Sequence, residues 1–166
     1  YAGNITSKYE GQEVTLYGWV QRVRNLGNLV FIDLRDREGI VQVVVNKDSG
    51  EKLMKIADSL NNEDVIEVKG KVVKRSSVNP EMKTGEVEVD ATEIDVLNKS
   101  KVPLFEIKDD INAAEQTRLK YRYLDLRRPT LQRAIILRSK ILKAVHEYFD
   151  EQGFIDIETP ILGKSS

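Results

Sequence analysis

Between residues 13 and 25 the apolar side chains Val14, Leu16 and Val20 alternate with polar neighbours, the period of two that marks a strand with one buried face. Gly18 falls in phase with them, where a missing Cβ suits the sharp coiling of a small-barrel strand. Gly27-Asn28 signals a turn. Beyond it Val30, Ile32 and Leu34 share one face of residues 29–35, and Phe31, Asp33 and Arg35 share the other. A tight turn at 36–39 leads into a third β-rich run, 40–45, so these segments predict a meander with short connections. The period then lengthens: Leu53, Ile56, Ala57 and Leu60 stand at helical spacing. Two further strands are predicted at 65–73 and 87–96, separated by a polar stretch, 74–84, that contains Pro80.

Five strands with a helix between the third and fourth is the order of an OB-fold, a Greek-key barrel whose second and third strands commonly face oligonucleotide. The expected fold class is therefore an all-β five-stranded OB-fold barrel with one intervening helix, over residues 1–98. Residues 99–112, with Lys99, Lys101 and Pro103 and no clean periodicity, read as a linker. Asn112 with Glu115 three residues on predicts a capped helix start, and that helix would run to about Leu126. Arg127-Arg128-Pro129 should break it, because proline disfavours helix at the residue before it. A second helix is predicted over 130–152, with an apolar stripe of Ile135, Leu142, Val145 and Phe149 and with Gly153 as its stop. A short strand over 154–162 should follow, Ile155 and Ile157 alternating ahead of Pro160. One amphipathic helix and one strand cannot enclose a core of their own. Residues 113–166 are therefore expected to lean on a sheet or partner outside this chain.

The 166 residues are 40% hydrophobic and 32% charged, a balance that favours a folded, soluble domain over disorder. No apolar run approaches the roughly 18 residues of a membrane span. The absence of cysteine excludes disulfides, thiolate catalysis and cysteine-ligated metals, and His146 is the only histidine. No metal site is expected, His146 receives no role, and a reducing cytoplasmic location is the simplest reading. Around Gly50 there is no glycine spacing of a Walker-type phosphate loop. The net charge of −1 conceals an asymmetry: residues 113–143 hold nine Lys/Arg against two Asp/Glu. Such a stretch attracts phosphate by releasing counterions, or it is a solvated helix face.

Specific strings carry a resemblance. Residues 14–20 (Val-Thr-Leu-Tyr-Gly-Trp-Val), 22–27 (Arg-Val-Arg-Asn-Leu-Gly) and 31–44, from Phe31-Ile32-Asp33-Leu34-Arg35-Asp36 to Val43-Val44, are similar to the anticodon-binding OB-fold of bacterial-type aspartyl-tRNA synthetases. Leu119-Lys120-Tyr121-Arg122-Tyr123-Leu124-Asp125-Leu126-Arg127-Arg128-Pro129 resembles the entry to the catalytic domain of that family. Residues 153–160, from Gly153-Phe154 to Thr159-Pro160, resemble motif 1 of class II synthetases. The lysyl and asparaginyl enzymes share the OB-fold and motif 1. The resemblance implies that residues 113–166 are the helical start of a class II α+β catalytic domain, truncated here. The parent enzyme would join L-aspartate to tRNA-Asp through an aspartyl-adenylate, using ATP and Mg. This chain would hold no catalytic residue and bind no cofactor. The implied partner is the anticodon stem-loop of tRNA-Asp, with a GUC anticodon, and the parent would be a homodimer. Neither a membrane nor DNA is expected as a partner.

Each candidate residue has a plain reading beside the implied one. Phe31 either closes an edge of the core or offers a stacking platform for an unpaired base; the resemblance implies the middle anticodon base. Gln42 interrupts an apolar run, so it is an outward strand position or, by the resemblance, hydrogen-bonds that same base. Glu88 shares a polar face with Glu86 and Asp90. An acid repels phosphate, but it can accept a proton from the cytosine N4 amine, and the resemblance implies that it reads the third anticodon base. Arg22 and Arg24 flank Val23 and share a face, for salt bridges to Asp33 or Glu38 or for clamping phosphate and base edges, with Arg24 the stronger candidate. Gly153, Phe154 and Pro160 are implied at the dimer interface. Two other readings stay open from the residues alone. A free-standing single-strand-binding OB protein would need an aromatic groove, for which Phe31, Tyr17 and Trp19 are the candidates. A dimerisation module would explain the helical tail but not the polar face of the barrel.

Overall fold

A computed structural model describes residues 1–163. They form two compact units, the first spanning Tyr1–Leu104 and the second beginning at Phe105. In the first, strands β1 (Glu13–Asn25), β2 (Leu29–Arg35), β3 (Ile40–Asn46), β4 (Val65–Lys74) and β5 (Val87–Asn98) close into a barrel in the order β1-β2-β3-β5-β4. All neighbours are antiparallel except β3 and β5, where Val43 pairs Val89 and Val44 pairs Asp90 in parallel. Helix α1 (Glu51–Asp58) lies between β3 and β4 and packs against β1, β2, β3 and β5. The expected strand order and helix position are both present.

The period-2 pattern sets what is inside. Val30, Ile32 and Leu34 from β2, Val41, Val43 and Val45 from β3, Ile66, Val68 and Val72 from β4, and Val87 and Val89 from β5 are all fully buried. These are mostly β-branched side chains that suit the pleat, and each such burial contributes about 1.5–3 kcal/mol. Leu53 and Ala57 of α1 join the same core. Gly18 is required where it stands: a Cβ there would lie 2.5 Å from the Arg35 carbonyl oxygen.

One irregularity re-aims β1. Val20 pairs Leu34 while Arg22 pairs Asp33, so Gln21 is an extra residue, a β-bulge. Leu16, Gly18 and Val20 are buried, whereas beyond the bulge it is Val23 that packs against the core. Arg22 and Arg24 are thereby turned to the outer face.

The second unit departs from expectation in two places. Instead of one helix over 112–126 there are two short ones, α2 (Glu115–Lys120) and α3 (Arg122–Asp125), interrupted at Tyr121 with φ −108° and ψ 46°. Ala114 flanks the start of α2 with no side-chain cap, so Glu115 is its first residue and not its third. The Asn112–Glu115 box is therefore out of register with the helix. No residue of α2 is buried, and packing does not enforce continuity. Helix α4 (Pro129–Glu151) starts with proline in its first turn, and Gly153 follows it at φ +81°. The predicted strand over 154–162 is not formed. After Phe105 no strand forms among the described residues, and an unpaired strand leaves its N–H and C=O groups without a ladder.

Within this unit the carboxylate of Asp125, fully buried, accepts from Arg122 and, at 2.9 Å, from Arg128. Arg128 also donates to the Lys108 carbonyl at 3.0 Å, which ties the segment before α2 to the start of α4. Helix α4 itself buries none of its residues, and its stripe of Ile135, Leu142, Val145 and Phe149 is exposed.

Candidate nucleic-acid interface

The outer face of β1, β2, β3 and β5 holds the candidate side chains. In β2 the alternation that sends Val30 and Ile32 inward leaves Phe31 and Asp33 half-buried on the outside. Phe31 pairs Arg24 across to β1 and Val44 across to β3. The Arg24 guanidinium stands 5.6 Å from the Phe31 ring centroid, within cation–π reach. It also donates from Nη2 to Asp33 Oδ1 at 3.3 Å and to Gln42 Oε1 at 3.1 Å. The plain reading of Arg24, a bridge to Asp33, and its place beside Phe31 therefore hold together.

Gln42 is the centre of the cluster. It lies on the same outer face as Val44, between the inward Val41 and Val43, yet is only 4% exposed. Its Oε1 accepts from Arg24 and, at 2.9 Å, from Arg75 Nη2. Its Nε2 donates to Glu88 Oε2 at 2.7 Å. A carboxamide carries two N–H donors, and the second has no partner among the described residues.

Glu88 stands on β5, and its pairing with Val73 brings it beside the end of β4. Partial burial pushes its carboxyl above the usual glutamate range, against the hydrogen bond from Gln42 and the positive charge of Arg75, and Asp90 adds to the rise. Glu86 and Asp90, the acids two residues away on either side, are exposed, and their carboxylates make no hydrogen bond or ion pair with the group among the described residues.

Four of the five predicted residues, Phe31, Arg24, Gln42 and Glu88, thus form one connected group. Arg22 does not join it. It is exposed on the same face and makes no hydrogen bond or ion pair among the described residues. Arg75 was missed. It follows β4 directly, its backbone N–H extends the ladder to the Glu86 carbonyl at 3.0 Å, and it points outward in phase with Val73. The stretch 74–84 is read from sequence as a polar connection, whereas continuing the period of two past Val73 would have placed Arg75 on the outer face.

The other aromatic candidates are differently placed. Trp19 lies under the Arg35 guanidinium at 6.0 Å, and Arg35 is itself held by Glu63 at 2.7 Å. Tyr17 is exposed on the part of β1 that pairs with β4, where a hydrogen bond to Glu67 raises its phenol pKa. In the second unit, Phe154 packs edge-on against Phe149 at 5.4 Å, and Pro160 is exposed. His146 pairs with Asp156 at 2.9 Å. The described residues contain no helix long and apolar enough to cross a membrane, and no group of three or more acidic or histidine side chains that could hold a metal.

Known proteins match both units. Residues 14–97 match a family of OB-fold nucleic acid binding domains, and residues 114–166 match the class II tRNA synthetases (D, K and N). Over its whole length the chain is 99% identical to an aspartate–tRNA ligase of Lactobacillus johnsonii and 78% identical to that of Lactobacillus acidophilus. It spans 27% of the length of each of these relatives. Among solved structures, an asparaginyl-tRNA synthetase from Pyrococcus horikoshii superposes with a TM-score of 0.82 at 26% identity, over 97% of this chain and 36% of that one. An aspartyl-tRNA synthetase from Entamoeba histolytica, at 23% identity, has the same fold with a TM-score of 0.85, over 98% of this chain and 39% of that one. A closed five-stranded barrel, a ring and hydrogen-bonding groups gathered on its outer face, and a nucleic-acid-binding match along half of the sequence agree: the chain belongs to the OB-fold nucleic acid binding domain family, and the residues that follow the barrel in sequence match the class II tRNA synthetases (D, K and N).

Proposed function

We propose that this chain is the anticodon-reading part of an aspartate–tRNA ligase, and that the outer face of β2, β3 and β5 receives the splayed bases of a GUC anticodon loop. The observation that carries this reading is the connected group itself. A half-exposed ring lies beside an arginine, a carboxamide and a carboxylate that are already bonded to one another on one face. Phe31 would stack the middle base, and the spare Nε2 hydrogen of Gln42 would meet that base's edge. Glu88, an acceptor when ionised, would take the N4 amine of the cytosine at the third position. Arg24 would contribute charge to a base edge or phosphate, and the unpaired Arg22 would hold phosphate.

The rest of the proposal concerns the longer protein. Residues 1–98 would carry the RNA contact, residues 99–112 would link, and residues from 113 on would begin the catalytic domain. The full enzyme would attach L-aspartate to tRNA-Asp with ATP and Mg, in the cytoplasm. Gly153, Phe154 and Pro160 would meet a second copy, which would cover the exposed apolar face of α4. The open cavity of about 540 Å³ beside the end of α4 is lined by apolar side chains with Glu147, Asp150 and Asp156, which repel a triphosphate. No step of that chemistry is assigned to them.

Titration of the chain with GUC and GUU stem-loops at one fixed salt concentration tests the proposal. The GUC loop should bind more tightly, and Phe31→Ala should weaken it by about 1–3 kcal/mol. Equal affinity for the two loops in the unaltered chain would refute the reading.

A further inference from the structure

Gln42 stands between a cation and an anion. Its Oε1 holds Arg75 at 2.9 Å and Arg24 at 3.1 Å, and its Nε2 holds Glu88 at 2.7 Å, all from a side chain that is almost completely buried. Arg75 is near enough to Glu88 for its charge to act on that carboxyl. The neutral amide therefore does two things at once. It fixes one oxygen of Glu88, and it occupies the Arg75 fork that would otherwise turn to that carboxylate. A direct Arg75–Glu88 pair would be charge-assisted and would use up the oxygens with which Glu88 could accept a base amine. At its other end the same amide grips Arg24, the arginine beside the Phe31 ring. Anything that takes hold of the amide from the Phe31 side is thereby felt at Glu88.

We infer that Gln42 is a positioning residue for Glu88, so that the base stacked on Phe31 and the base read by Glu88 are discriminated jointly rather than one by one. This rests on the anticodon reading above and adds to it a coupling between two neighbouring base positions. Groups in one hydrogen-bond network are expected to be non-additive, whereas independent sites add.

The test uses the full chain and four stem-loops: GUC, GUU, GCC and GCU. In the unaltered chain the preference for C over U at the third base should be several-fold larger when the middle base is U than when it is C. Gln42→Met, which removes donor and acceptor together, should lower the C-over-U preference at the third base by at least about five-fold. It should also make what remains indifferent to the middle base. Gln42→Glu keeps the size and both arginine contacts but puts a second acceptor against Glu88; it should lose the third-base preference in the same way, which keeps the test valid if the methionine variant folds poorly. A merely structural role for Gln42 would weaken all four loops by one common factor and leave the ratios alone. That result, or a third-base preference in the unaltered chain that ignores the middle base, overturns the coupling while the anticodon reading stands. Equal binding of all four loops by the unaltered chain would bring down both.

Discussion

At the scale of single residues, the outer face owes its character to the bonds that join Arg24, Gln42, Arg75 and Glu88 to one another. Glu88 is the case with a measurable consequence. Burial raises its pKa, and the ionised carboxylate, which can only accept, favours a cytosine amine, whereas the protonated acid also offers an O–H donor to the uracil carbonyl. A group whose pKa is raised takes up its proton at a higher pH on acidification. The preference for GUC over GUU should therefore decline as the pH is lowered, and begin to do so above the usual glutamate range. Glu88→Gln should have a weak preference that does not change over that interval; affinities measured across a pH series check both. The outward placement of Phe31, Arg24, Gln42 and Glu88 was legible in the sequence because alternation gives each strand residue a face, while the role of each was implied by the resemblance alone. What alternation could not give was connectivity. That Gln42 bonds Glu88, 46 residues further on, depends on the parallel pairing of β3 with β5, a long-range contact that no local pattern encodes. Arg75 was overlooked for a related reason, since a strand that continues into a polar loop has no apolar partner to mark its phase.

At the scale of elements, β1 is one strand that serves two purposes because of its bulge. Gly18 and the residues before the bulge let β1 lie close over β2, and the extra residue at Gln21 shifts the phase so that two arginines face outward. Gly18→Ala should destabilise the barrel by about 1–3 kcal/mol, because the added methyl meets the backbone carbonyl of Arg35 and not a side chain that can swing away. The midpoint of urea unfolding measures this, and an unchanged midpoint would show that β1 and β2 can separate at no cost. The five strands and α1 were readable to within a residue or two at most ends, since a barrel core repeats one period on every strand. The helices after Phe105 were less so. Asn112 and Glu115 have the spacing of a capping box, but the helix begins at Glu115, and spacing alone does not say which residue is first.

For the whole molecule, the contrast lies between a unit with a complete core and one that buries little. The barrel has its apolar residues inside, whereas the 23 residues of α4 have none buried. Most helical stability in proteins comes from packing one face. In dilute solution the amides of α4 should exchange with solvent much faster than those of β3 and β4, although both sets are hydrogen-bonded. Hydrogen-exchange mass spectrometry resolves the two, and equal protection would mean that α4 is held by more than its own backbone. This imbalance was visible from sequence as an amphipathic helix without a sheet, and it fits a chain that spans 27% of the length of its 99% identical relative. The central claim, that the barrel's outer face takes unpaired bases, is tested most directly by following the chain's NMR signals as a GUC stem-loop is added. The shifts should concentrate on the Phe31 ring, the Gln42 side-chain amide and the backbone around Glu88. Signals that move elsewhere while those three stay still would contradict it.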